Sequence, residues 1–145
     1  MIDIAPFRSF HLDYMKPRSC YDDDPLIKER FLNSQSDPSV FLHTFLINGD
    51  PIAIIGGKMI FEHSGEIWGL TTDAIRDVPI AFLRQVRKML EEYRKELNLW
   101  RYQMLVSVKL QERVLFAKAL GFKKEGLLRK YGPSGDDYYM YGRIY

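Results

Sequence analysis

Asn48-Gly49 narrows what this chain can fold into more than any other feature. An Asn-Gly step reverses a chain within two residues because both tolerate a positive φ. It lies between Val40 to Ile47, rich in β-branched and aromatic residues, and Pro51 to Phe61. The arrangement predicts an antiparallel hairpin. His63-Ser64-Gly65 predicts a second turn and Glu66 to Thr72 a third strand, which completes a meander. Gly56-Gly57 within the middle strand marks a bulge or a close approach.

The rest of the chain alternates between two periodicities. Residues 2 to 5 predict a short strand. Pro6 to Met15 predict a helix, with Pro6 at its first position and Phe7, Phe10 and Tyr14 on one side. Lys16-Pro17-Arg18-Ser19 breaks it. The carboxylates of Asp22-Asp23-Asp24 before Pro25 suit a helix start, which predicts a second helix over Pro25 to Asn33. Phe82, Leu83, Val86, Met89, Leu90, Tyr93 and Leu97 share one face of a long helix. Its other face carries Arg87–Glu91, Lys88–Glu92 and Glu91–Lys95 pairs, as expected of a solvated surface. Arg101 to Val108 predict a buried strand, and Leu110 to Leu120 a helix stopped by Gly121. Gly126 to Tyr131 and Tyr138 to Tyr145 predict two last strands joined by residues 132 to 137. The order β-α-α-β-β-β-α-β-α-β-β is an α+β arrangement: a mixed sheet with helices on both faces.

At 145 residues the chain suits one domain, 1–145. Its 21 basic and 19 acidic side chains nearly balance, and on the long helix the two signs alternate. No basic stripe forms, so no nucleic acid is expected as a partner. Cys20 is the only cysteine, which excludes an internal disulfide. A lone thiol read together with His11 could be a nucleophile, but a structural or surface thiol is the plainer account. No apolar run reaches the length of a membrane span, and no basic-then-apolar pattern of a signal peptide opens the chain. The Asp22-Asp23-Asp24 run predicts no metal site, since consecutive side chains point apart and no further ligands follow at a useful spacing.

Glu112 to Gly126, ERVLFAKALGFKKEG, resembles a segment of the GCN5-related N-acetyltransferases (GNAT). In that family a helix ends in Leu-Gly-Phe, here Leu120-Gly121-Phe122, and a strand begins with Glu-Gly, here Glu125-Gly126. The tail Leu127-Leu128-Arg129-Lys130, Asp137 and Met140-Tyr141 is similar to the closing hairpin of acetyltransferases that act on protein N-termini. The resemblance covers residues 40 to 145, and the first third by element order. A narrower resemblance is to the internal virion protein A group of T7-like phages. It rests on Pro51 to Gly57, Trp68, Thr72-Asp73, Leu99-Trp100-Arg101-Tyr102 and Phe116 to Phe122.

The GNAT resemblance implies three chemical needs. The first is a diphosphate cradle, an Arg/Gln-x-x-Gly-x-Gly/Ala segment whose backbone amides meet coenzyme A at a helix start. The equivalent stretch, Thr72 to Ile80, holds no glycine. Pro79 removes one amide, and Asp77, expected as the N-cap, would put a carboxylate where diphosphate sits. Thr72 and Arg76 are the residues left to bind a cofactor. The second need is an acid for the departing thiolate. The family's tyrosine position holds Ala117, and the alternative positions hold Lys109 and Glu112. Lys109 would serve only with a lowered pKa. The third is a base or water relay, for which Glu62 and Glu66, flanking His63, are candidates.

The missing glycines and the missing tyrosine predict a degenerate, non-catalytic scaffold that binds no cofactor. With the phage resemblance they imply a minor virion or morphogenesis protein, in the host cytoplasm and the particle, with virion proteins as partners. The tyrosines Tyr138, Tyr139, Tyr141 and Tyr145 suit a protein contact or a half-buried final strand. The alternative is an acetyl-CoA-dependent N-acetyltransferase acting on an amine of a protein or small molecule.

Overall fold

The computed structural model describes residues 1–15 and 31–145. The readings made at residues 16–19, Cys20 and Asp22 to Asp24 lie outside the described residues. So does most of the helix expected over Pro25 to Asn33; residues 31–33 of it are described, and they are helical, as is residue 34 after it.

The elements are β1 (Ile2–Pro6), α1 (Ser9–Tyr14), β2 (Val40–Ile47), β3 (Asp50–Phe61), β4 (Ser64–Thr71), a 3-10 turn (Asp73–Asp77), α2 (Pro79–Glu96), β5 (Arg101–Ser107), α3 (Gln111–Ala119), β6 (Lys123–Leu128) and β7 (Tyr138–Ile144). Seven strands form one sheet in the order β1-β2-β3-β4-β5-β7-β6. β4 and β5 pair in parallel, whereas β1–β2, β2–β3, β5–β7 and β6–β7 are antiparallel. The sheet is therefore mixed and the class α+β. Pro6 ends β1 opposite His43 instead of starting a helix. β1 is an edge strand, where a residue without an N–H is tolerated.

Packing groups the residues into two compact units, Met1–Lys58 with Trp68–Phe82 and Met59–Ile67 with Leu83–Tyr145. In the first, Phe7, Met15, Phe31, Ile54 and Leu70 form a buried cluster, joined by Leu12, Leu42 and Trp68. β3 is buried continuously from Pro51 to Gly57, the pattern of a strand covered on both faces. Gly56 answers a close approach: a Cβ there would lie 2.7 Å from Leu42 Cδ2 and 2.9 Å from Trp68 Cε2. His11, 5% exposed, fixes α1 to β2. Its Nδ1 accepts the Arg8 N–H at 3.0 Å and lies 2.7 Å from Thr44 Oγ1.

In the second unit, Val86, Met89 and Leu90 of α2 and Tyr102, Met104 and Val106 of β5 are buried. The Tyr102 hydroxyl donates to the Leu90 carbonyl at 2.8 Å. Burial holds this phenol well above its ordinary pKa. Gly121 ends α3 with φ +88°, and the Phe122 N–H returns to the Ala117 carbonyl at 3.0 Å. Arg143 of β7 donates to the Leu120 carbonyl at 2.9 Å and so ties the end of α3 to the sheet.

Two outcomes follow. Gly56→Ala destabilises the fold by about 1–3 kcal/mol, because the core cannot accept a methyl without displacing Leu42 or Trp68; urea denaturation measures it. Burial, aided by the Arg8 charge, holds His11 below the ordinary histidine value of 6.5. The unfolded chain therefore takes up the proton first as the pH falls. The stability linked to His11 is present in full above 6.5 and is lost as pH falls from there through the folded-state value. Urea midpoints should decline on acidification from about pH 7 to about pH 5, and His11→Gln should flatten that slope.

Candidate functional site

The loop after β4 is built by Thr72. Its N–H donates to the Ile52 carbonyl at 2.9 Å and its hydroxyl to the same oxygen at 3.0 Å. The hydroxyl oxygen also accepts the Ala74 N–H at 3.3 Å, and the Thr72 carbonyl accepts the Ile75 N–H at 3.4 Å. Thr72 thus caps the 3-10 turn, and its single hydroxyl proton is committed to Ile52. Its part in the loop is to shape it.

The turn also decides which amides remain. The Val78 N–H is taken by the Ile75 carbonyl at 3.1 Å, and the Val78 carbonyl accepts the first helical N–H, from Phe82, at 2.9 Å. Val78 therefore occupies the N-cap position. This corrects the expectation that Asp77 caps the helix: the 3-10 turn carries Asp77 one residue too far upstream. Its exposed carboxylate accepts no hydrogen bond among the described residues. Of the first three positions of α2, Pro79 has no N–H, and the Ile80 and Ala81 N–H groups have no acceptor among the described residues. Ile80 is 71% exposed and Ala81 is exposed beside it. Two outward amides at the start of an 18-residue helix carry the positive end of its dipole. Arg76 belongs to the same loop, in an exposed ion pair with Asp73 at 3.4 Å. Such a pair is weak and readily exchanged for a stronger anion.

Arg76-x-x-Pro79-x-Ala81 keeps the spacing of the cradle pattern, with proline in the place of the first glycine. Ala81 stands where the pattern accepts Gly or Ala. The small residue five places after Arg76 was the signal available. For a diphosphate the loop offers two amides of the three and one cation, and the residues fit the group in that reduced form.

The remaining candidates sit in different settings. Glu62 lies on the turn before β4 with its side chain 89% exposed. His63 Nδ1 lies 2.8 Å from the Asn98 carbonyl, and the ring stacks on Trp100 at 4.0 Å. The His63 carbonyl accepts the Trp100 and Arg101 N–H groups, so this turn serves the start of β5. Glu66 is half-buried within β4 opposite Gln103 of β5. Lys109 donates to Asp136 at 2.7 Å. That hydrogen bond and the carboxylate charge hold its ammonium above the ordinary lysine range. The lowered pKa that an acid role requires is contradicted, because Lys109 has a carboxylate partner in place of a desolvated pocket. Glu112 is exposed on α3, and Ala117 is completely buried. Glu62, Glu66 and Lys109 thus each have separate neighbours. Among the described residues no group of acidic, histidine or cysteine side chains could hold a metal ion, and no helix is long and apolar enough to cross a membrane.

Solved structures share this arrangement of strands and helices. Ard1 from Thermoplasma volcanium superposes with a TM-score of 0.79 at 17% identity, covering 99% of this chain and 97% of its own. A GNAT-family acetyltransferase from Bacillus anthracis gives 0.76 at 17%, covering 99% and 94%. A ribosomal-protein-S5-alanine acetyltransferase from Vibrio fischeri gives 0.72 at 17%, covering 99% and 92%. The fold is that of the GNAT acetyltransferases. No protein-family model matches the chain, and no curated protein matches it. At this identity the likeness establishes the fold.

Ala81→Glu separates helix stability from anion binding. A carboxylate in the first turn stabilises a helix by roughly 0.3–1 kcal/mol, yet it opposes a phosphate at the same amides. The variant should have an equal or higher urea midpoint, and inorganic pyrophosphate should bind it at least tenfold more weakly than the parent chain, measured by calorimetric titration.

Proposed function

We propose that this chain is an acetyl-CoA-dependent N-acetyltransferase acting on an amine of a protein or small molecule. The observation that carries the reading is the pair of amides, Ile80 and Ala81, that have no acceptor among the described residues at the start of α2, with Arg76 in the same loop. The start of α2 and its 3-10 turn leave these amides open, and Asp77, the residue expected to close the site, accepts no hydrogen bond among the described residues. Structures of similar fold include enzymes named for ribosomal-protein alanine and for spermidine, which supports an amine acceptor.

In this reading the Ile80 and Ala81 N–H groups and the Arg76 guanidinium hold the diphosphate of coenzyme A. The bound donor supplies an activated acetyl thioester. The protein holds an amine in line with that carbonyl, and orientation contributes much of the rate. Of the two carboxylates named as candidate bases, Glu66 is the better by its own setting. It is half-buried within a strand, where Glu62 stands in solvent. Lys109, held protonated by Asp136, is left out of the proton path.

No comparison supports a virion role. That role, with protein partners and no cofactor, describes the chain only if acyl-CoA fails to bind. A thermal-shift titration with acetyl-CoA decides between the two. A ligand at 100 times its dissociation constant adds about 2.7 kcal/mol, a shift of several degrees for a chain of this size. Arg76→Glu should reduce both the shift and acetyl transfer to a panel of amines. An absence of any shift at millimolar acetyl-CoA, or full transfer by Arg76→Glu, contradicts the proposal.

A further inference from the structure

His11 is a buried titratable group that the acyl transfer proposed above does not use. It stands at the third position of α1, and its Nδ1 accepts the N–H of Arg8, the residue at the N-cap, at 3.0 Å. In a capping box a glutamate or glutamine takes this place and reaches back to the same amide. An imidazole nitrogen differs from those acceptors, because it accepts only while it carries no proton.

The Arg8 N–H can only donate, so Nδ1 is bare and the neutral ring keeps its proton on Nε2. The Thr44 hydroxyl, 2.7 Å from Nδ1, then donates to it as well. Protonation at Nδ1 changes both contacts. Thr44 can turn its hydroxyl and accept. Arg8 cannot, and two N–H groups would face each other across 3.0 Å. The imidazolium would also stand in a buried place beside the like charge of Arg8. Among the described residues Arg8 is the charged group that acts on the ring. β1 brings Asp3 and β3 brings Lys58 to the sheet face of Thr44, with the Lys58 ammonium 3.6 Å from Asp37. His43 points to the other face of β2 by alternation, and Asp13, two places along α1, to another side of the helix.

Little else fixes α1. At six residues it is well below the length at which a helix persists alone. Leu12 packs against the cluster of Phe7, Met15, Phe31, Ile54 and Leu70, while Phe10 and Tyr14 are exposed. We propose that His11 is a proton-operated latch on α1: the neutral ring closes the cap at Arg8, and the protonated ring leaves its place and lets the helix unwind while β2 and β3 stay paired. The latch does not rest on the acyltransferase reading. The freed ring takes up its proton near the ordinary 6.5, and the latched ring resists to lower pH. Between the two values the opening constant of α1 rises about tenfold per pH unit, since one proton is taken up.

Amide hydrogen exchange of the full chain, followed by NMR from about pH 7 to about pH 5, tests the latch. Protection factors of the Arg8, Asp13 and Tyr14 amides should fall about tenfold per pH unit below 6.5. Urea below the unfolding transition should leave them unchanged, as for an opening that exposes little surface. The Ala53 and Ile54 amides of β3 should exchange far more slowly and with the urea dependence of global unfolding. His11→Gln keeps an acceptor that does not titrate, so α1 should stay protected and lose its pH dependence. A check on the wild type alone is the ¹⁵N spectrum of the neutral ring, in which Nδ1 should be bare and Nε2 protonated. If His11→Gln fails to fold, the wild-type exchange and ring spectrum still decide. A proton on Nδ1 of the neutral ring, or protection of α1 that ignores pH, overturns the inference. So does exchange of α1 only through global unfolding, or a pH dependence that survives in His11→Gln.

Discussion

A parallel pair of strands cannot be joined by a tight turn, and β4 and β5 are the parallel pair in this sheet. The chain has to leave the end of β4, run back along a helix and enter β5 in the same direction. That single requirement produces α2. It also places the start of α2 beyond the end of β4, after the 3-10 turn. The short ladder from Ser64 to Glu66 against Arg101 to Gln103 sets the register of this crossover. The 3-10 turn at Asp73–Asp77 then sets how the helix starts. The candidate anion site is a consequence of strand direction before it is a consequence of any side chain.

Much of this was legible in the sequence because it is written in local chemistry. Asn48-Gly49 turns where expected, with φ values of 51° and 83°, and β2 spans Val40–Ile47 as its composition predicts. Gly121 stops α3 because it alone adopts the left-handed conformation cheaply there. The errors arose where the outcome depends on neighbours distant in sequence. Pro6 looks like a helix start until the strand it pairs with is known. Asp77 looks like an N-cap by type, but Thr72 draws the preceding residues into a 3-10 turn through Ile52, twenty residues away, and moves the helix start past it. Lys109 could not be assigned a pKa direction without Asp136, which lies 27 residues downstream. Ala81 is a different case: the spacing that singles it out was present in the sequence.

Polar groups taken out of water separate the structural residues from the candidate functional ones. His11 gives its Nδ1 to the backbone of Arg8 and to Thr44. Tyr102 gives its hydroxyl to Leu90, and Thr72 gives both its functions to Ile52 and Ala74. These side chains complete the fold, and their chemistry is spent within it. Among the described residues, the amides of Ile80 and Ala81 and the hydroxyl of Tyr141 have no partner. Groups of that kind are expected where a ligand completes the hydrogen bonding.

The central claim is that the first turn of α2 receives the diphosphate of an acyl-CoA. Amide chemical shifts of ¹⁵N-labelled protein during titration with acetyl-CoA and with inorganic pyrophosphate test it most directly. The account predicts that the Ile80 and Ala81 amide protons move downfield with both ligands, as hydrogen bonds to phosphate oxygens form. Acetyl-CoA that left those two amides unmoved, while binding elsewhere or not at all, would contradict it.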